Sequence, residues 1–240
     1  MAEESSGIGG GLGGMLNVFV DPGTTAKYAA KPGFWLWPTL TLVVGFLVFG
    51  YLMMPYTMQL VDIKIQQQIQ AQGAPPERME TARNMGHMFG YISLIATPIF
   101  IILFSMLIAW LINVMLSMVA AKGRFRDTFG LLMACGLIPF LQYVATYFEV
   151  RIKGDPITSA EQFQAPFGLD IFLQGLHGIP LAFVHFFSIF QIWYLVVLTF
   201  GIAALYGISK GKAFASITPA WVIPLIFALI GALFSGGSSS

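Results

Sequence analysis

FWLWPTLTLVVGFLVFGYLMM, residues 34–54, carries no charged side chain. A helix needs about 20 mostly apolar residues to cross roughly 30 Å of hydrocarbon, and this run is that long. Trp35 and Trp37 lie at one end, Tyr51 at the other, and Tyr56 just beyond. Such rings collect at the two membrane–water interfaces. Pro38 falls in the first turn, where its missing N–H costs no intrahelical bond. The stretch reads as a transmembrane helix.

Working outward, similar runs recur at about 91–120, 128–148, 186–208 and 213–234. The run at 91–120 exceeds one bilayer thickness, so it should tilt or protrude. Pro98 predicts a kink in its first third. Pro139 sits near the middle of 128–148, and Pro219 and Pro224 break 213–234. The stretch 167–183 is apolar but cut by Gly168, Gly175, Gly178 and Pro180, which suits an interfacial or re-entrant piece better than a span.

Composition agrees. The chain is 57% hydrophobic and 10% charged, with mean hydropathy +0.77, whereas soluble domains average about 25% charged residues. The expected fold is an all-α polytopic membrane bundle of about five transmembrane helices, with one membrane domain over 15–234. The formal net charge of +1 and the lack of a basic run argue against nucleic acid as a partner. A lone Cys135 excludes an intramolecular disulfide and a thiolate cluster.

Residues 1–14 are Gly/Ser-rich and acidic at Glu3 and Glu4, which predicts a disordered tail and no secretory signal. Gly9, Gly11 and Gly14 fit G-x-G-x-x-G, but no strand precedes them. Asp21-Pro22 reads as an N-cap and first helical residue. The short helix that follows ends at Lys31-Pro32-Gly33 and is amphipathic, with Lys27 and Lys31 placed for headgroups, so it should lie in the interface. Residues 55–90 alternate apolar side chains with Gln and charge. A break at Ala74-Pro75-Pro76 makes them a helical hairpin outside the bilayer, with Gly86 and Gly90 as a small-xxx-small pair. Residues 235–240 form a flexible tail.

Cations in short loops set orientation. Lys27, Lys31, Lys122, Arg124, Arg126, Lys210 and Lys212 fall on one side, close to the spans. Lys64, Arg78, Arg83, Arg151 and Lys153 are diluted over two longer loops on the other. The expectation is a cytoplasmic N-terminus and an opposite C-terminus.

Enzyme signatures such as H-E-x-x-H, G-x-S-x-G, a Walker loop or C-x-x-C are missing. His87, His177 and His185 are scattered and lack a third ligand. No metal or cofactor is expected. No acidic or basic residue falls at the centre of a span, where a coupled transporter commonly keeps a titratable group. The deep polar groups are neutral, chiefly Asn113, Gln142 and Gln191, with Ser105, Ser117, Ser188 and Thr199. Asn113 and Gln142 can bond to each other or to a partner helix, which makes them candidate packing residues. Asp127, Glu149 and Asp170 are expected at boundaries that water reaches.

Two stretches resemble the Yip family of membrane proteins, and the long Gln-rich loop with Ala71-Gln72-Gly73-Ala74-Pro75 resembles its bacterial members. One is Asn17-Val18-Phe19-Val20-Asp21-Pro22 with Lys31-Pro32-Gly33-Phe34-Trp35-Leu36-Trp37-Pro38. The other is Phe190-Gln191-Ile192-Trp193 through Gly201 to Gly207-Ile208-Ser209-Lys210-Gly211-Lys212. Within them Asp21, Pro22, Lys31, Pro32, Trp35, Pro38, Trp193, Gly201, Gly207, Lys210 and Lys212 match the family pattern. The resemblance implies five spans, no catalysis and a place in the bacterial inner membrane. The function it favours is a scaffold or adaptor that binds the bilayer and another membrane protein or itself. The competing reading is a small permease or lipid-handling protein whose path follows the proline-broken helices.

Overall fold

A computed structural model describes residues 8–72, 76–119, 121–153 and 178–235. Among them every regular element is helical. In order these are α1 (Ile8–Leu16), a 3₁₀ turn (Asn17–Phe19), α2 (Pro22–Ala29), α3 (Leu36–Gln72), α4 (Pro76–Met118), α5 (Phe125–Cys135), α6 (Leu137–Lys153), α7 (Gly178–Phe186), α8 (Ile189–Tyr206), α9 (Lys210–Ser216) and α10 (Thr218–Ser235). Four stretches are long and apolar enough to cross a membrane: Leu36–Gln67, Glu80–Met118, Phe125–Ile152 and Ile189–Tyr206. A fifth forms if α9 and α10, bent by 41°, count as one broken span.

The chain divides into two compact units. The first takes in Met1–Leu42, Ile102–Leu141 and Phe167–Ser240; the second takes in Val43–Ile101 and Gln142–Pro166. In the first unit α2 packs on α8 and α5, and α5 packs on α8. Every residue of α5 from Asp127 to Cys135 is buried. Such a helix needs small residues where neighbours cross. A Cβ on Gly201 of α8 would lie 3.0 Å from Leu131. α2 is amphipathic as expected, and Thr25, Ala26 and Ala29 are its buried face.

The second unit is a helical hairpin of α3 and α4 with α6. Gly86 and Gly90 are true close approaches: a Cβ at each would meet Val61 and Met58 at 2.6 Å. Met53, Tyr56, Tyr147 and Val150 form a buried cluster, with Ile63 packed against it.

Several boundaries differ from the sequence reading. The disordered tail expected over 1–14 is helical from Ile8. Its glycines are packing positions, since Gly11 lies against the Trp37 indole and Gly14 against the Tyr28 ring. The Thr25 hydroxyl donates to the Gly14 carbonyl at 3.0 Å, which fastens α1 to α2. The first span does not stop at Met54. α3 is 37 residues long and runs through Pro55, about 55 Å at 1.5 Å per residue. The Thr57 hydroxyl donates to the Met54 carbonyl at 2.9 Å in the proline turn, and the cluster around Tyr56 supplies burial on its far side. The expected hairpin is therefore continuous with its spans. α4 likewise continues helical through Pro98 over 43 residues.

The span expected at 128–148 is two helices, α5 and α6, which meet at Gly136. Pro139 has no N–H for the Cys135 carbonyl, and its ring crowds that carbonyl. The helix therefore breaks three residues before the proline, not at it. The same chemistry at Pro219 divides α9 from α10 at Ile217, whereas Pro224 stays inside α10. Most of 167–183 lies outside the described residues, so the reading of that stretch is not met here; α7 covers its end.

The Leu131 contact makes Gly201 a sensitive position. Gly201→Val should destabilise the detergent-solubilised protein by about 1–3 kcal/mol, the usual cost of overpacking. Gly231→Ala, where nothing lies within 4 Å, should leave the thermal midpoint unchanged or slightly raised. Equal midpoints for the two variants would contradict the packing described.

Candidate functional site

The residues singled out from the sequence gather in the first unit, with the exception of Gln142. Asp21 caps α2: Thr24 donates its backbone N–H to Oδ1 at 3.1 Å and its hydroxyl to Oδ2 at 2.6 Å. Pro22 takes the first helical position. The Lys31 ammonium sits 4.2 Å above the Tyr28 ring. After Pro32, Gly33 has φ +76°, a left-handed turn that aims the chain into α3. Trp35 packs on Phe129 of α5, with ring centroids 6.1 Å apart. Pro38 is buried, and Trp193 meets Phe19 at 5.7 Å. Gly207 ends α8 in the left-handed conformation at φ +61°. Lys210 lies 4.1 Å above the Phe200 ring, and the Lys212 N–H donates to the Ser209 cap.

Where α4, α5 and α8 end together, the structure builds a polar network. The Arg124 N–H donates to the Tyr206 hydroxyl at 3.2 Å. Tyr206 and Thr128 share a 2.6 Å bond, and Thr128 donates to Asn113 Oδ1 at 3.3 Å. Asn113 Nδ2 donates to the Ala109 carbonyl at 2.7 Å. Each hydroxyl has one proton to give, so the order Arg124, Tyr206, Thr128, Asn113 uses each donor once. The amide of Asn113 thus bonds to Thr128, a partner the sequence reading did not pick. Gly123 completes the arrangement, because a Cβ there would run into Asn113 Oδ1. Gln191 belongs to the first turn of α8, where its backbone N–H reaches the Ser188 cap at 3.1 Å. In the second unit the Gln142 carbonyl accepts from Thr146 at 3.0 Å.

Asp127 was expected in water but is 4% exposed. It lies in the first turn of α5, where a carboxylate is favoured by the helix dipole. Arg126 Nε reaches it at 3.1 Å and Arg124 Nη1 at 3.9 Å. Around this buried core Lys122, Arg124, Arg126, Lys210 and Lys212 stay exposed, a basic rim over a satisfied polar interior.

A second cluster went unread. In the α3–α4 hairpin Asp62 accepts from Arg83 Nη2 at 3.0 Å and lies 2.9 Å from His87 Nε2. Arg83 and His87 are one helical turn apart and face Asp62 across the hairpin, so pairing positions about the α3–α4 turn would have found them. His177 and the His185 side chain lie outside the described residues. Among the described residues no three His, Cys, Asp or Glu side chains are grouped to hold a metal.

Two outcomes test these contacts. Thr24 donates to the Asp21 carboxyl and holds it below the ordinary carboxylate range. Its cap should act fully above the unfolded carboxylate range and fade as pH falls through the lowered native value. The stability difference between wild type and Asp21→Ala should shrink on acidification, and a difference independent of pH would refute the cap. For the network, Thr128→Val and Tyr206→Phe should each cost on the order of 0.5–1.5 kcal/mol. Their double-mutant cycle should show coupling; simple additivity would mean the 2.6 Å bond contributes nothing.

No curated protein and no solved structure matches the chain. The Yip1 domain family model matches residues 16–232. That match takes in the capped α2, the Trp35 and Trp193 contacts, the polar network and the α8–α9 turn. The chain is a member of the Yip1 domain family of integral membrane proteins.

Proposed function

We propose that this Yip-domain protein is a non-enzymatic scaffold or adaptor that organises the bilayer around it or docks a second membrane protein or a second copy. The observation that carries the reading is the use made of its polar groups. Asn113, Thr128 and Tyr206 bond to one another and tie α4, α5 and α8 together, so they join helices and do not line a path. The motif residues Trp35, Trp193 and Gly201 likewise serve helix contacts. The permease or lipid-handling reading draws on the breaks at Gly136 and Ile217, where helix ends leave carbonyls that a solute could use.

The basic rim of Lys122, Arg124, Arg126, Lys210 and Lys212 favours a cytoplasmic location for that end, by the excess of cations on cytoplasmic loops. On this reading the N-terminus is cytoplasmic and the membrane a bacterial inner one.

Reconstitution of the purified full chain decides between scaffold and permease. A scaffold forms a defined complex with a second copy or a membrane partner in cross-linking, and its proteoliposomes show no gradient-driven flux. Flux that follows a pH or sodium gradient would replace the scaffold reading with the permease one. Orientation is read on a Cys135→Ala background, since Cys135 is fully buried. In right-side-out vesicles an impermeant thiol reagent should label Lys64→Cys and spare Lys122→Cys. The reverse pattern would invert the topology.

A further inference from the structure

Where three apolar runs reach water in the second unit, they enclose an open cleft of about 620 Å³, within the roughly 300–1,000 Å³ of small-ligand pockets. Tyr51 and Tyr56 come from α3, Tyr91 from α4, and Tyr147 and Arg151 from α6. These residues stand where the charge-free apolar runs 34–54, 91–120 and 128–148 give way to polar sequence, although the helices run on, and aromatic rings at such a change mark a membrane–water boundary. From the arrangement of its lining we infer that the cleft binds the phosphodiester headgroup of an anionic phospholipid through Arg151 and the tyrosine hydroxyls. The inference is independent of the scaffold proposal.

The cation is preset. Tyr56 and Tyr147 are each 8% exposed and packed with Met53 and Val150, so their rings are fixed. The Tyr56 hydroxyl holds Arg151 Nη1 at 3.5 Å. A guanidinium has five N–H donors, and most of those of Arg151 remain for a ligand. No carboxylate among the described residues lies within ion-pair distance of it. Glu149, two positions away on α6, does not share its helix face. A planar guanidinium beside tyrosine hydroxyls suits phosphate oxygens, which accept paired N–H donors.

The surroundings select a lipid over a free anion. Leu52 and Met58 line the same cleft. Phe148 and Ile152 flank Arg151 along α6 and are 52% and 83% exposed, an apolar surface that acyl chains would cover. With no carboxylate among the described residues paired to it, the guanidinium selects a net negative headgroup over a zwitterionic one, since a choline ammonium would be brought toward a like charge.

The test uses the full chain in mild detergent, titrated with phosphatidylglycerol and separately with phosphatidylcholine, with retained lipid counted by native mass spectrometry. One phosphatidylglycerol should be retained in preference to phosphatidylcholine. Arg151→Gln should weaken that retention by about tenfold or more, as loss of a charge-assisted contact does. Tyr56→Phe keeps the buried ring and should weaken it a few-fold, which tests the site even if Arg151→Gln fails to fold. Lys64→Gln, an exposed cation on α3 outside the cleft, should change nothing. Equal loss in Lys64→Gln would reduce the effect to diffuse charge and overturn the site. So would equal retention of phosphatidylcholine, or unchanged binding in Arg151→Gln. Displacement of the lipid by millimolar inorganic phosphate would show a free-anion site instead, and the lipid assignment would fall.

Discussion

The first unit is organised around one constraint: α5 is buried on every side from Asp127 to Cys135. A helix with no exposed face must meet a neighbour at each turn, and each neighbour must match its bulk. Leu131 is accommodated by Gly201 on α8, and a Cβ on Gly130 would lie 3.4–3.5 Å from Phe34 and Trp35. At its N-terminal end the problem becomes electrostatic. Asp127 and Thr128 enter the interior with α5, and burial of a polar group is tolerated only when it is bonded. Arg126, Tyr206 and Asn113 answer that need. The basic rim follows, because Arg124 and Arg126 turn only one edge of the guanidinium to Asp127 and stay partly in water, beside the exposed lysines.

Backbone hydrogen bonding supplies the second constraint. Within hydrocarbon the chain must satisfy its own N–H and C=O groups, so proline positions decide where helices end. Pro139 and Pro219 end the preceding helices, while Pro55, Pro98 and Pro224 lie inside continuous ones. What separates the groups is context. Gly136 sits beside Leu42 in a tightly filled interior that holds the α5–α6 turn, whereas at Pro55 the Thr57 hydroxyl and the cluster around Tyr56 support both sides of the proline. α5 can therefore stop inside the unit while α3 extends past the length one bilayer needs.

These two constraints separate the jobs of the polar residues. In the first unit polar groups are internal fasteners, and their geometry favours stable packing over a moving charge. In the second unit Arg151 is held by a tyrosine at the edge of an open cleft, while Asp62, Arg83 and His87 clasp the hairpin.

Much of this was legible in the residues. The apolar run 34–54 and its relatives identify a helical membrane protein because hydrocarbon thickness sets a length that composition can be checked against. Asp21-Pro22 and the break at Pro76 marked the starts of α2 and α4, since caps and breaks act through neighbours in sequence. Gly86 and Gly90 were legible as a small-xxx-small pair, and the packed hairpin made them contacts with Val61 and Met58. The partners were not legible. Asn113 finds Thr128, Trp193 finds Phe19, Asp62 finds Arg83 and His87, and the glycines at 11 and 14 become helical contacts and not a loose tail. Those pairings join positions 14 to 174 residues apart, and the energy that selects them exists only once the helices are packed. Local chemistry determined most helical segments and the starts of α2 and α4; the packed interior made Ile8–Leu16 a helix and decided which side chains meet.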